Sequence, residues 1–179
     1  MKKSELLSRW TPELTKEITR SFLKGQVPVS PFDAENDFRG FEFRTVFENV
    51  VCSNIDFSYC RTALQGQITR GIFTNCKFLG ARIVDTNLKG TFERCDFGSA
   101  NLTRVDISGG TFIECEFVRA KLPHARVNCT TFKSCSFKHA QLDSVTFHKC
   151  AIQDCDMLSA RLSDARFYRT TISNTAGAG

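Results

Sequence analysis

From Phe92 to Ile172 every fifth residue is apolar: Phe92, Phe97, Leu102, Ile107, Phe112, Phe117, Leu122, Val127, Phe132, Phe137, Leu142, Phe147, Ile152, Met157, Leu162, Phe167 and Ile172. With 41% of the chain apolar, chance would produce such a run roughly once in a million. Two residues before each stands a small one, such as Gly90, Cys95, Ala100 and Val105, and the positions between are mostly polar. Neither the helical period of about 3.6 residues nor the strand period of about 2 produces this pattern. A regular five-residue path does.

A second period rides on the first. The stretches 91–110, 111–130, 131–150 and 151–170 align without gaps, so Cys95, Cys115, Cys135 and Cys155 recur every 20 residues, as do Ala100, Ala120, Ala140 and Ala160. Four fives make twenty, and the economical geometry is a four-sided coil whose turns stack about 4.8 Å apart, the spacing of hydrogen-bonded strands. Stacked coils bury a continuous column that no single coil buries alone. Phe92, Phe112 and Phe132 then share one inner wall, and Phe97, Phe117 and Phe137 the next. Upstream, Phe73, Phe78, Ile83 and Leu88 keep the fives, but Leu88 to Phe92 and Phe43 to Phe47 are steps of four. Between Cys60 and Gly71 the register blurs. Thr62 is a poor core residue, Ala63 and Leu64 compete with it, and Ile68 restores the pattern, which predicts a corner distortion or small bulge near residues 60–66. Residues 38–172 make a little under seven coils, a column of about 30 Å.

The segments SANLT (99–103), RAKLP (119–123), HAQLD (139–143), SARLS (159–163), RCDFG (94–98) and ECEFV (114–118) resemble the motif of the pentapeptide repeat family, A(D/N)LXX. In that family the central Leu or Phe and the small residue two before it point inward. The resemblance covers about three quarters of the chain. It implies an all-β solenoid, a right-handed quadrilateral β-helix with type II or type IV turns at the corners. Some members bind type II DNA topoisomerases such as gyrase, imitating duplex DNA and protecting against quinolones or peptide toxins. These members commonly dimerise through the C-terminal end.

Outside the repeat, Thr11 is a suitable N-cap with Pro12 at the first helical position, and Leu14, Ile18 and Phe22 line one face as far as a Gly25 stop. Leu6, Leu7 and Trp10 suggest a preceding short helix capped by Ser4. The apolar stripe is expected to cover the open end of the first coil, which would otherwise expose Phe side chains and unpaired backbone. The division is therefore a helical cap and connector over 1–35, a β-helix over 36–173 and a flexible tail over 174–179. Beyond Ile172 there is no matching helix, so Phe167 and Ile172 are candidates for a weak homodimer contact at an uncovered end.

Chemistry is not visible in this sequence. His124, His139 and His148 fall on the outside or at corners and do not recur at 20, and phosphate-loop, GxSxG and HExxH motifs are lacking. Nine cysteines without a CxxC fit free, buried thiols in a reducing cytoplasm better than a disulfide framework. The ladder Cys76, Cys95, Cys115, Cys135 and Cys155 does not converge as tetrahedral metal ligands must, and reads as small filler beneath the Phe side chains. No catalytic, cofactor-binding or metal-ligating residue is assigned. The outward columns are more informative: an acidic one of Asp96, Glu116, Ser136 and Asp156, and basic ones with Lys121 and Arg161, then Arg126 and Arg166.

The expected function is a non-enzymatic protein-interaction module, a rigid prism displaying side chains at fixed spacing to a protein partner. The alternatives are gyrase binding, against which stand the net charge of +5 and an acidic column one residue wide, and nucleic-acid binding by the basic faces. Arg82, Asn87 and Asn101 are grouped loosely with the Lys121 column. One consequence concerns folding: Leu102→Asp buries an unpaired carboxylate and should prevent it, whereas Asn101→Asp changes an outward residue and should hardly move the melting temperature. Comparable thermal melts would mean that the inward and outward sides are misassigned.

Overall fold

The computed structural model describes every residue except Met1, Asp33, Glu35, Gln65, Ala178 and Gly179, so parts of the expected cap, bulge and tail lie outside the described residues. Two helices, α1 (Lys3–Ser8) and α2 (Pro12–Leu23), precede short strands that pair in parallel with the coil above and below. The chain winds as a four-sided column. The first wall carries the inward centres Phe38, Phe57, Phe78, Phe97, Phe117, Phe137 and Met157, and the second carries Phe43, Thr62, Ile83, Leu102, Leu122, Leu142 and Leu162. The third carries Phe47, Ile68, Leu88, Ile107, Val127, Phe147 and Phe167, and the fourth Cys52, Phe73, Phe92, Phe112, Phe132, Ile152 and Ile172.

Identical side chains one coil apart stack ring on ring. Phe92–Phe112 and Phe112–Phe132 centroids lie 4.9 and 5.2 Å apart on the fourth wall, and Phe97–Phe117 and Phe117–Phe137 lie 5.0 and 4.9 Å apart on the first. Rings on the two walls meet edge to face, as Phe112 and Phe117 do at 5.6 Å. Each such pair adds about 0.5–1.5 kcal/mol beyond its area burial.

At the step of four from Leu88 to Phe92 the corner disappears, and so it does in the coil beneath, where Ile68 to Phe73 is a step of five. Gln67–Thr74 and Leu88–Glu93 run straight across the third and fourth walls, and their pairing shifts register between Ile68 and Gly71. Glycine is required there, because a Cβ on Gly90 would lie 2.3 Å from the Gly71 carbonyl oxygen. Thr62 holds the inward position, pairing in register with Phe43, and its buried hydroxyl has no partner among the described residues. Leu64 does not substitute for it: at 104% relative exposure it stands wholly in solvent on the inserted loop.

The small inward residues are chosen by the corner that precedes them. At most corners one residue sits in the left-handed region, among them Ser99 (φ 54°) and Arg104 (φ 53°). From Phe78 onward, ten corners close with a hydrogen bond from the small residue's N–H to the carbonyl of the preceding centre, as Ala100 donates to Phe97 at 3.0 Å. The left-handed third residue makes these type II geometry. The small residues there are Ala81, Ala100, Val105, Gly110, Ala120, Ala125, Ala140, Val145, Ala160 and Ala165. At the corners before Cys76, Thr86, Cys95, Cys115, Thr130, Cys135, Cys150, Cys155, Thr170 and Thr175 that bond is absent. Every one of these ten side chains donates to a main-chain carbonyl. Cys115 Sγ reaches the Phe92 carbonyl at 3.3 Å, and Cys135 reaches that of Phe112 at 3.4 Å. The thiols are therefore more than filler: they pair carbonyls that the turn leaves open.

The helical cap seals the first coil. Helix α2 starts at the Thr11 cap, whose hydroxyl accepts from Leu14 N–H, and it buries Ile18 and Phe22 while Leu14 is half-buried. Helix α1 begins at Lys3, so Ser4 lies inside it and is not its cap; Lys2 N–H donates to Glu5 Oε2 at 2.8 Å instead. Phe22 meets Phe38 and Phe47, each at 5.6 Å, and Trp10 meets Phe41 at 5.1 Å. Gly40 lets α1 approach, since a Cβ there would lie 2.5 Å from the Leu6 carbonyl oxygen. Asp37, buried at the start of the first coil, accepts two hydrogen bonds from Arg9 (2.7 and 2.9 Å) and two from the Arg39 guanidinium, each 2.8 Å. Trp10 Nε1 donates to the Arg39 carbonyl at 2.8 Å.

The other end is open. Leu158, Phe167 and Ile172 are exposed on the last coil. Where a flexible tail is expected, residues 174–177 carry on into a further turn, with Met157 N–H donating to the Ala176 carbonyl at 2.8 Å.

Two outcomes follow from these bonds. Cys115→Ser keeps a donor and should stay near wild type in urea unfolding, whereas Cys115→Ala leaves the Phe92 carbonyl bare and should cost about 1–2 kcal/mol. Ala120→Ser should cost a similar amount, because the hydroxyl at a bonded corner meets no open carbonyl. Equal midpoints for Cys115→Ala and wild type would remove the thiol from the account. The cap responds to acid. Burial alone would raise the pKa of Asp37, but hydrogen bonds from Arg39 and Arg9 outweigh it and hold the carboxyl well below its ordinary value of 3.8. The clamp is thus at full strength above about pH 4 and is lost as pH falls through the lowered value. Emission of Trp10, the only tryptophan, should shift to the red in strong acid for wild type and already at neutral pH for Asp37→Asn. An acid-independent Trp10 in both proteins would show the clamp to be idle.

Candidate interaction surfaces

Outward residues form columns because each pairs in parallel with its equivalent one coil away. On the first wall the column reads Asp37, Asp56, Lys77, Asp96, Glu116, Ser136 and Asp156. Much of its acidity serves the backbone. Asp56, Asp96 and Asp156 Oδ1 accept from the N–H two residues on, at 2.9, 2.7 and 3.0 Å. Asp156 also pairs with Lys138 at 2.9 Å. The Leu158 N–H and the Lys138 ammonium hold its carboxyl below the ordinary range. Glu116 is exposed. Lys77 interrupts the column a second time, so the wall is mixed in sign.

The second wall reads Glu42, Arg61, Arg82, Asn101, Lys121, Gln141 and Arg161. Asn87 does not belong here: it pairs with Asp106 on the third wall, because the distorted coil shifts the count. Arg161 pairs with Asp143 at 2.6 Å, whose carboxyl it lowers, and Arg61 pairs with Glu42 at 3.0 Å. Lys121 is exposed. The third wall reads Val46, Gln67, Asn87, Asp106, Arg126, Thr146 and Arg166. The fourth is nearly neutral, with Val51, Ile72, Thr91, Thr111, Thr131, Ala151 and Thr171. The candidate residues thus lie on three walls and do not form one patch: Asp96, Glu116 and Asp156 on the first, Lys121 and Arg161 on the second, Arg126 and Arg166 on the third.

His124 and His139 occupy exposed corners and His148 a strand of the third wall. Eight cysteines are buried, and Cys129 is exposed at a corner. Burial pushes the Cys52 thiol up to about 12 and also raises Cys60 and Cys150. Among the described residues no His, Cys, Asp or Glu trio is grouped to hold a metal ion, and no helix is long and apolar enough to cross a membrane.

The model of a known family, pentapeptide repeats in eight copies, matches residues 100–138. Residues 100–138 thus match the pentapeptide-repeat model, and the same five-residue coil runs on to either side of them. A trypsin-treated variant of QnrB1, a plasmid-mediated fluoroquinolone resistance protein, is 14% identical, with 75% of this chain and 74% of that one covered and a TM-score of 0.43. The pentapeptide repeat protein Rfr23 from the cyanobacterium Cyanothece 51142 is 13% identical, with 91% and 98% covered and a TM-score of 0.33. No curated protein matches the chain significantly.

Proposed function

We propose that this pentapeptide-repeat solenoid is a non-catalytic scaffold that binds a protein partner along its side. The observation that carries this reading is the set of outward columns, whose side chains are held one coil apart by main-chain pairing. A partner finds these charges already placed, and little side-chain or loop ordering opposes binding. Lys121 and Arg161 on the second wall, Arg126 and Arg166 on the third, and Asp96, Glu116 and Asp156 on the first are the proposed contacts. A second copy is proposed at the C-terminal coil, where Phe167 and Ile172, on the end strands of their sheets, are 38% and 37% exposed. That end is small. At about 25 cal/mol for each Å² buried, against about 4–15 kcal/mol of lost rigid-body freedom, the dimer is weak.

Gyrase binding is the second reading, favoured by the carboxylates Asp56, Asp96, Glu116 and Asp156 in a single column. Supercoiling by purified gyrase, titrated with the chain in the presence and absence of a fluoroquinolone, separates the two. Inhibition or protection that weakens in Glu116→Lys supports gyrase; an untouched enzyme leaves another protein partner. Sedimentation over a hundredfold range of concentration should show association that Phe167→Lys abolishes. A monomer throughout, or a dimer indifferent to the substitution, removes the C-terminal contact.

A further inference from the structure

The C-terminal half of the third wall gathers cations and planar side chains in adjacent rows. Three parallel strands, Arg126–Asn128, Thr146–His148 and Arg166–Tyr168, present outward rows in strict register. One row is Arg126, Thr146 and Arg166. The other is Asn128, His148 and Tyr168, three planar side chains in line, with Tyr168 53% exposed. Along the adjoining corner run Cys129, Lys149 and Arg169, each in the left-handed region, with Cys129 and Lys149 N–H bonded to the coil above. The planar row therefore lies between two cationic ones.

These cations have no carboxylate. Among the described residues Arg126, Lys149, Arg166 and Arg169 are all exposed, and none takes part in an ion pair. Elsewhere many cations are paired, as Lys89 with Asp106 and Arg70 with Glu48 lower on the same wall, Lys138 with Asp156 on the first and Arg161 with Asp143 on the second, while Lys77, Arg82, Arg119, Lys121 and Lys133 are scattered singly without an ion pair among the described residues. Asp164, at the corner before Arg166, borders the patch. Four unpaired like charges within three coils repel one another, and an anionic ligand relieves that repulsion.

We propose that this patch binds single-stranded nucleic acid, with phosphates on Arg126, Arg166, Lys149 and Arg169 and bases on the Asn128–His148–Tyr168 row. Rows about 4.8 Å apart place Arg126 and Arg166 about 10 Å apart, a span of one or two nucleotides. Exposed aromatic faces between cations are what a sequence-tolerant single-strand site uses. A duplex turns its bases inward and has nothing to set on the planar row. An acidic peptide has use for the cations but none for Tyr168. The surface is separate from the first-wall column; it shares Arg126 and Arg166 with the proposed protein contacts, so a nucleic-acid strand and a protein partner would compete for these two residues.

Fluorescence anisotropy with a short labelled oligothymidylate and the intact chain tests the assignment. The expected result is saturable binding whose logarithmic salt slope is about −3, as four phosphates on a single strand predict. Arg126→Glu with Arg166→Glu should weaken binding tenfold or more and flatten that slope. Tyr168→Ala should weaken it about fivefold or more at unchanged slope, and Tyr168→Phe should restore it. All three substituted positions are exposed, and circular dichroism checks that the β-helix is kept. Absence of saturable binding at low salt overturns the proposal. So does a duplex that competes better than the single strand. Indifference to Tyr168→Ala, with polyglutamate competing as well as oligothymidylate, also overturns it and reassigns the patch to an acidic protein.

Discussion

Each corner of this column leaves one carbonyl that the coil-to-coil ladder does not pair, that of the inward central residue. The ladder uses the N–H of the centre and the carbonyls beside it, as Phe97 N–H donates to the Glu116 carbonyl and Glu116 N–H to that of Cys95. The remaining carbonyl is buried, and an unpaired buried acceptor costs about 1–3 kcal/mol. There are two solutions. A tight turn brings round the N–H three residues on, as Ala100 does for Phe97. Otherwise a side chain two residues before the next centre donates from the coil above, as Cys115 does for Phe92. Alanine suffices in the first case, and in the second the donor is a thiol, that of Cys76, Cys95, Cys115, Cys135, Cys150 or Cys155.

The same accounting explains the asymmetry of the two ends. The first coil has no coil beneath it, so its core is closed by helix α2, by the Trp10–Phe22 aromatic cluster and by the Arg9–Asp37–Arg39 clamp. The last coil has no coil above it, and its apolar residues stay exposed. Between the two ends, side walls on a main-chain lattice offer fixed side chains and shallow recesses, which suits binding along a surface.

How far the sequence reveals this depends on the range of the signal. The four-sided column was legible because seventeen apolar positions keep phase over sixteen consecutive five-residue steps, and a phase error at any step would turn the core outward. The cap was legible from Thr11, Pro12 and the Ile18–Phe22 stripe, since capping and amphipathicity are local. The Cys and Thr pattern was present in the sequence but looked like size selection, because its cause lies in hydrogen bonds between coils. The insertion at Leu64 could not be resolved from sequence alone: an extra residue next to a weak centre such as Thr62 leaves several registers open until main-chain pairing chooses one. The third-wall patch was hidden for another reason. Arg126 and Arg166 look like a sparse column until Lys149 and Arg169, from a different position of the pentad, are brought alongside them by the corner.

That reading of the corners makes the thiols hydrogen-bond donors, and the S–H stretching band of the native protein reports on this directly. The account predicts that Cys76, Cys95, Cys115, Cys135, Cys150 and Cys155 absorb below the free-thiol frequency, with the Cys115 contribution identified by its loss in Cys115→Ser. Cys60, which follows a turn already bonded through its own N–H, should absorb at the free position. A single unshifted band for all buried cysteines would contradict it.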